Sequence, residues 1–254
     1  MKKIFLFCFA MCITGMVMAQ SKIIAHQGYH ATKNSVGNSL SSLKNAQDAG
    51  FFGTEFDVHE TKDGILIVGH GPEHGPYIIQ ETDFKTLRAH KLKNGETLPT
   101  FEECLIQGKK NVATKLIIEI KRHPSPDMET RIVKKILAEV KKHKMEEHVE
   151  YISFHQHVCN ELIKYGPKGI QVAYLEGNLS PTYCKGLGYT GIDYQVNVMR
   201  EHPEWIKEAQ DLGMTVNVWE ADDIESAKWC IEHGLDYITT DIPADVERLL
   251  KEKK

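Results

Sequence analysis

Beyond residue 20 the apolar positions fall into eight short runs rich in Val, Ile and aromatic residues: Lys22–Ala25, Gly53–Val58, Lys115–Ile120, Glu150–Phe154, Ile170–Leu175, Gly191–Val196, Met214–Trp219 and Leu235–Thr239. Runs this short and this continuously apolar predict strands buried on both faces of a parallel sheet. Helical patterning separates most of them, in Leu40–Ala49, Phe101–Gln107, Met128–Lys142, Glu161–Lys164, Glu204–Leu212, Ile224–His233 and Ala244–Lys251. Eight strands interleaved with helices over roughly 235 residues predict an α/β fold, the (β/α)8 TIM barrel. An open doubly wound sheet shares the alternation, but no G-x-G-x-x-G follows the first strand. Lys62-Asp63-Gly64 reads as a turn into a further extended run, Ile65–Val68, so strand two continues into a hairpin arm. The polar stretch Pro72–Pro99, with one helical patch at Thr82–Leu92, predicts a short insertion after strand 2 that overhangs the barrel mouth.

The first residues follow another pattern. Lys2 and Lys3 precede an uncharged run, Ile4 to Met18, that ends in Val17-Met18-Ala19. A basic start, a short apolar stretch and small residues before the cut describe a secretory signal peptide over residues 1–19. Residues 20–254 then form one barrel domain, exported to the periplasm or secreted, with no stable membrane insertion after cleavage. Losing two lysines with the leader takes the formal charge from −4 to −6. Such a chain lacks the clustered Lys and Arg of an electrostatic nucleic-acid binder, and no nucleic-acid partner is expected. Cys104, Cys159, Cys184 and Cys230 remain; they show no C-x-x-C spacing, and are expected to be buried apolar side chains rather than zinc ligands. Oligomeric state is left open.

In such a barrel the chemistry lies at the C-terminal ends of the strands. Strand one ends in His26-Gln27-Gly28, strand two carries Glu55 and Asp57, and strand three carries Glu119 and Lys121. A spacing of two puts each pair on one face of its strand. Three inward carboxylates are costly to bury unless something neutralises them, and an oxygen-liganded divalent cation, Mg2+ or Ca2+, does so directly. Salt bridges, Glu119 with Lys121 or Glu55 with Lys115, are the alternative. His26, and His70 at the end of the hairpin arm, are acid/base candidates because imidazole titrates near neutral pH. His155 ends strand four and is a candidate pocket residue, as is Trp219 at the end of strand seven. His30, His59, His74, His90 and His123 read as solvated loop or outward-facing residues. Glu220 and Asp241 also fall at strand ends, without an assigned role.

These residues resemble the glycerophosphodiester phosphodiesterases, whose pattern runs A-H-R-G, P-E-N-T-L, E-x-D-V-x-x-T-x-D-G and V-x-H-D. The corresponding stretches are Ala25-His26-Gln27-Gly28, Val36-Gly37-Asn38-Ser39-Leu40, Glu55-Phe56-Asp57-Val58-His59-Glu60-Thr61-Lys62-Asp63-Gly64 and Val68-Gly69-His70-Gly71. The resemblance continues through Leu98-Pro99-Thr100-Phe101, Ile118-Glu119-Ile120-Lys121, Ser153-Phe154, Val216-Asn217-Val218-Trp219 and Gly234-Leu235-Asp236 to Asp241. It implies metal-dependent hydrolysis of a small-molecule phosphodiester to glycerol 3-phosphate and an alcohol. It also implies Glu55, Asp57 and Glu119 as metal ligands and His26 and His70 as acid and base. Gln27, Asn38, Lys121, His155 and Trp219 are then the expected substrate contacts.

Three positions depart from that pattern. Its Arg is Gln27, which removes a bidentate phosphate contact; its Glu is Gly37; the Asp after its second His is Gly71. Reduced activity or an altered phosphate-containing substrate is the expected consequence. A barrel that binds a ligand without turnover, a lyase that forms a cyclic phosphate and metal-dependent sugar chemistry on the same fold are the competing readings.

Overall fold

The computed structural model describes residues 20–252. The expected signal peptide, residues 1–19, lies outside the described residues. The elements run β1 (Lys22–Ala25), α1 (Leu40–Ala49), β2 (Gly53–Glu60), β3 (Leu66–Val68), β4 (Glu73–His74), β5 (Tyr77–Ile78), α2 (Phe84–Ala89), α3 (Phe101–Gly108), β6 (Lys115–Ile120) and α4 (Pro126–Lys142). They continue with β7 (Val149–Ser153), α5 (Gln156–Tyr165), β8 (Val172–Tyr174), α6 (Pro181–Gly186), β9 (Gly191–Gln195), α7 (Val196–Glu201), α8 (Glu204–Asp211), β10 (Thr215–Trp219), α9 (Ile224–Glu232), β11 (Tyr237–Thr240) and α10 (Pro243–Glu252).

Eight parallel strands follow one another in the order β10-β9-β8-β7-β6-β2-β1-β11. The remaining seam, between β11 and β10, is bridged at its ends by Asp236 N–H to Val216 O, 3.1 Å, and Ala221 N–H to Thr239 O, 3.2 Å. The fold is the (β/α)8 barrel expected from the apolar runs. Strand alternation divides the side chains into two cores. Phe56, Val58, Ile118, Ile120, Ile192, Tyr194, Val216 and Val218 face outward and pack under the helices. Ile24, Ile117, Ile152 and Leu175 face inward and fill the barrel. Helix starts are set locally: Thr100 Oγ1 accepts from Glu103 N–H at 3.1 Å while Glu103 returns a bond to Thr100 N–H at 2.9 Å, a reciprocal cap at the head of α3.

The hairpin arm is present. β3 pairs antiparallel with β2, Val58 opposite Val68, and Gly69 N–H donates to Asp57 O at 3.0 Å, which fixes where His70 leaves the sheet. The insertion beyond it builds a satellite core from Ile67, Ile79, Leu87 and Leu98. Buried Glu60, near the arm's base, is held by Arg131 and by Lys135 at 2.7 Å, tying the arm to α4. The four cysteines are buried and free. No helix of the described residues is long and apolar enough to cross a membrane.

Candidate active site

The register between β2 and β6 sets Asp57 directly beside Glu119. Glu55 lies two residues back on β2, so all three carboxylates face the barrel axis near its C-terminal end. One oxygen of each lies within 4.8 Å of the others. All three are buried. Lys121, one pleat beyond Glu119, places Nζ 2.7 Å from Asp57 Oδ1 and 2.7 Å from Glu119 Oε1. Of the two salt bridges foreseen as alternatives to metal binding, the Glu119–Lys121 pair therefore forms. Lys115 instead lies at the opposite end of the barrel and donates to Glu147 O.

One ammonium does not neutralise three carboxylates. Burial and the Asp57 charge push Glu119 up to about 7, and burial with the same neighbouring charge raises Glu55 well above the ordinary carboxylate value. Burial opposes ionisation of Asp57, but Lys121 and the Asn38 hydrogen bond outweigh it and keep it low. Glu55 Oε1 meets no hydrogen-bond partner. An oxygen-only donor set with an orphaned buried carboxylate oxygen fits a hard divalent cation, and no nitrogen or sulfur ligand competes within the trio.

His26 stands beside this cluster with only 16% of its side chain exposed. Its Nδ1–H donates to Asp241 Oδ1 at 2.9 Å, leaving Nε2 at 3.5 Å from Glu220 Oε1 and 3.9 Å from Glu55 Oε2. Burial would lower this imidazole; the Asp241 hydrogen bond and the Glu55 and Glu220 charges overcome it and push it up to about 10. His30, read from sequence as solvated, donates from Nε2 to the same Asp241 oxygen at 3.0 Å. His70 comes from the hairpin arm and, unlike His26, is exposed.

His26, His70, Glu55, Glu119, Lys121 and Trp219 line one cavity of about 90 Å3, with Phe154, Leu175, Ile152, Asp193, Thr239 and Glu220 completing its wall. Trp219 packs edge-on against Phe154 at 5.2 Å. No residue of Pro72–Pro99 lines it, so the insertion contributes through the arm that carries His70 rather than as a wall.

Three expected substrate contacts lie elsewhere. Asn38 is buried behind Asp57, with Nδ2 donating to Asp57 Oδ2 at 2.6 Å and Oδ1 accepting from Asp57 N–H at 3.0 Å; it braces a carboxylate. His155 points away from the cavity to buried Glu129, Nδ1 to Oε1 2.6 Å. Gln27 donates its backbone N–H to Glu55 Oε2 at 2.9 Å, while its side chain lies over Gly37. A Cβ at position 37 would stand 2.3 Å from Gln27 Oε1, so the two departures at 27 and 37 share one space. The third departure is coupled likewise. Gly71 has φ +59°, and a Cβ there would lie 2.4 Å from His59 Nε2. His59 was expected to be solvated but is buried beside buried His123, where Gln80 of the insertion reaches His59 Nδ1 and the Arg122 carbonyl. Burial pushes His59 down to about 4, which makes it a neutral packing residue.

Sequence reasoning missed Asp193 altogether and gave Asp241 and Glu220 no role. The signal for Asp193 was present: it is the one charged residue in the run from Gly191 to Val196, and it alternates with outward Ile192 and Tyr194.

Comparison with known proteins agrees with the geometry. The glycerophosphoryl diester phosphodiesterase family matches residues 26–245. A crystal structure of a glycerophosphodiester phosphodiesterase from Parabacteroides distasonis is 40% identical, covers 92% of this chain and 98% of its own, and superposes with a TM-score of 0.90. A glycerophosphodiester phosphodiesterase of Caldanaerobacter subterraneus is 26% identical over 245 residues, 90% of this chain and 97% of the relative. An Oleispira antarctica phosphodiesterase, solved with its product sn-glycerol-3-phosphate, shares the fold at 18% identity and a TM-score of 0.78, covering 91% of this chain and 97% of its own. With its barrel, its inward carboxylates and a match over nearly all the described residues, the chain belongs to the glycerophosphoryl diester phosphodiesterase family.

Proposed function

We propose that this phosphoric diester hydrolase cleaves glycerophosphodiesters to glycerol 3-phosphate and an alcohol, with Glu55, Asp57 and Glu119 holding Mg2+ or Ca2+ and with His26 and His70 as the acid–base pair. The observation that carries the reading is that Glu55 and Glu119 share one cavity with both imidazoles, and that Asp57 clusters with those two carboxylates. When bound there, the cation supplies positive charge for a non-bridging phosphate oxygen as negative charge builds up in the transition state.

The chain's own groups divide the remaining work. Asp241 fixes the His26 ring through Nδ1 and leaves Nε2 toward the cavity. Surrounded by carboxylates, His26 keeps its proton at neutral pH and is the donor to the departing alkoxide. His70, on the solvent side, takes the proton from the attacking oxygen, either water or the neighbouring glycerol hydroxyl. Each transfer is typically worth about 10²–10⁴ in rate. Lys121 adds a permanent positive charge at the cavity wall in place of the Arg absent at position 27. The Asp193 side of the cavity and Trp219 receive the glycerol arm.

A phosphorus NMR assay of glycerophosphodiesters with Mg2+, Ca2+ or EDTA, run on the wild type and Glu55→Gln, tests the reading. Expected are glycerol 3-phosphate from the wild type with metal and a loss of about 10²-fold or more in the variant. Equal metal-free turnover in both proteins overturns the mechanism, and a persistent cyclic ester replaces hydrolysis with lyase chemistry. We also read residues 1–19 as an export signal, tested by N-terminal sequencing of the protein recovered outside the cytoplasm; an intact Met1 there refutes cleavage.

A further inference from the structure

The two imidazoles at the cavity are held in different ways. His26 is fixed through its ring by Asp241. His70 is exposed, and among the described residues its ring meets no hydrogen-bond partner. Its direction therefore depends on the backbone that carries it. One anchor is Gly69 N–H on Asp57 O at 3.0 Å. The other is the His70 carbonyl, which accepts from His59 Nε2 at 3.3 Å.

The partners of His59 define the state of its ring. A carbonyl oxygen only accepts, so Nε2 carries the proton. On the opposite edge, Gln80 Nε2 lies 3.3 Å from His59 Nδ1 and 2.9 Å from the Arg122 carbonyl. That carbonyl fixes which end of the amide is the NH2 group, so the second N–H of Gln80 donates to Nδ1, the unprotonated acceptor. One chain of hydrogen bonds thus runs from just beyond β6, through the insertion and the buried His59 ring, to the backbone of His70. Neighbouring His123 repeats the arrangement: Nδ1 donates to the Lys121 carbonyl at 2.8 Å and Nε2 accepts from Glu60 N–H at 3.2 Å.

A side chain at position 71 would close this route. A Cβ there would lie 2.4 Å from His59 Nε2 and 2.8 Å from its Cε1, so the ring stands where the Asp of the family pattern would begin. Packing accounts for the burial of His59 but not for its two directed bonds. We propose that His59, set by Gln80, is a positioning residue for His70: it holds the His70 carbonyl so that the exposed imidazole stays turned to the cavity, as Asp241 does for His26. The inference rests on the reading of His70 as a member of the acid–base pair and deepens it.

The test measures kcat and KM on glycerophosphoethanolamine with Mg2+ for the wild type, His59→Leu, His59→Gln and Gln80→Ala, each also in a His70→Ala background. His59→Leu keeps most of the bulk and removes the donor, so kcat is expected to fall about tenfold, the rate equivalent of one ordinary hydrogen bond, with KM within about twofold. His59→Gln, whose amide donates to the His70 carbonyl and accepts from Gln80, is expected to stay within about threefold of the wild type, and Gln80→Ala to lose about threefold in kcat. In the His70→Ala background none of the three should cause a further loss, because a residue that acts through His70 has nothing left to position. A His59→Leu loss that persists in full without His70, an equal loss in His59→Gln, a loss in KM alone or no loss at all assigns His59 to packing and overturns the proposal. If His59→Leu does not fold, the cycle of half-buried Gln80 with His70 carries the same decision.

If the wild type turns over nothing, or His70→Ala matches it, the reading of the site fails by itself. NMR order parameters of the Gly69, His70 and Gly71 amides then decide the positioning. They are expected to be about 0.85 in the wild type and His59→Gln and below about 0.6 in His59→Leu; equal values in all three, rigid or flexible, refute it.

Discussion

Replacing Lys121 by Met tests the electrostatics of the site most directly. The ammonium lies 2.7 Å from both Asp57 Oδ1 and Glu119 Oε1, and a Met side chain keeps most of the stem while removing the charge. Removing one member of a buried ion pair costs about 3–5 kcal/mol, since the partner charge stays buried and unpaired. Part of that cost is relieved if Glu119 takes up a proton, and its carboxyl already titrates at about 7 rather than at 4.5. A folded-state value raised in this direction means that the native protein binds the extra proton, so stability falls as pH rises from about 4.5 to 7 and levels off above. The measurement therefore belongs at pH 8. With about 2–4 °C per kcal/mol for a protein of this size, Lys121→Met should melt roughly 6–20 °C below the wild type in EDTA. Added Mg2+ or Ca2+ should restore more in the variant than in the wild type. A ligand at a hundred times its dissociation constant contributes about 2.7 kcal/mol, and in the wild type the cation first has to displace Lys121 from the carboxylates. Differential scanning calorimetry with and without metal reads both effects. An unchanged midpoint in EDTA, or identical metal shifts in the two proteins, refutes the reasoning that these carboxylates form one cation-requiring cluster.

Asp241→Asn should lower kcat/KM by about 10²-fold and move the basic limb of its pH profile down from about 10 toward the ordinary imidazole value of 6.5, because the Asp241 bond is the leading influence that raises His26; an unmoved limb excludes His26 as the titrating acid. The stabilisation tied to the raised His26 value is fully present below 6.5 and is lost as pH climbs through 10, so urea midpoints of the wild type should decline over that interval and those of Asp241→Asn much less. Gly71→Asp, which reinstates the acid of the family pattern, should destabilise by about 2–4 kcal/mol through left-handed backbone strain and overpacking against His59. Combining it with His59→Ala should recover part of the loss, and strict additivity in a double-mutant cycle would show that the two sites do not share space. Gly37→Glu should cost less than about 1 kcal/mol, since its backbone is ordinary and the Gln27 side chain can turn aside, and the double change Gln27→Arg with Gly37→Glu should be tolerated; a severe loss of folding contradicts that packing account.

Much of the barrel was legible because strands buried on both faces leave continuous apolar runs, and β1 and β6 fall on the stretches read from sequence. Helices α6 and α7 were not foreseen. Val196 extends the apolar run of β9, yet the chain turns there because the Gln195 side chain accepts from Asn197 N–H at 2.6 Å and starts α7. The carboxylate trio was legible because a period of two fixes direction along a strand. Asn38, Gln27 and His155 were not, because loop residues have no such period: Asn38 follows the residue at 37 in the motif but turns back to brace Asp57. His59 and His123 went unread for a related reason. They are buried by the insertion and by each other, contacts between segments 64 residues apart that no local pattern records.

The bond between His26 and Asp241 joins residues 215 positions apart, one at the end of the first barrel strand and the other just past the last. A ribosome delivers the imidazole early and its carboxylate partner 215 residues later. Until then the proton donor lacks its orienting carboxylate, so the chemistry that begins at the end of the first barrel strand waits on the last one.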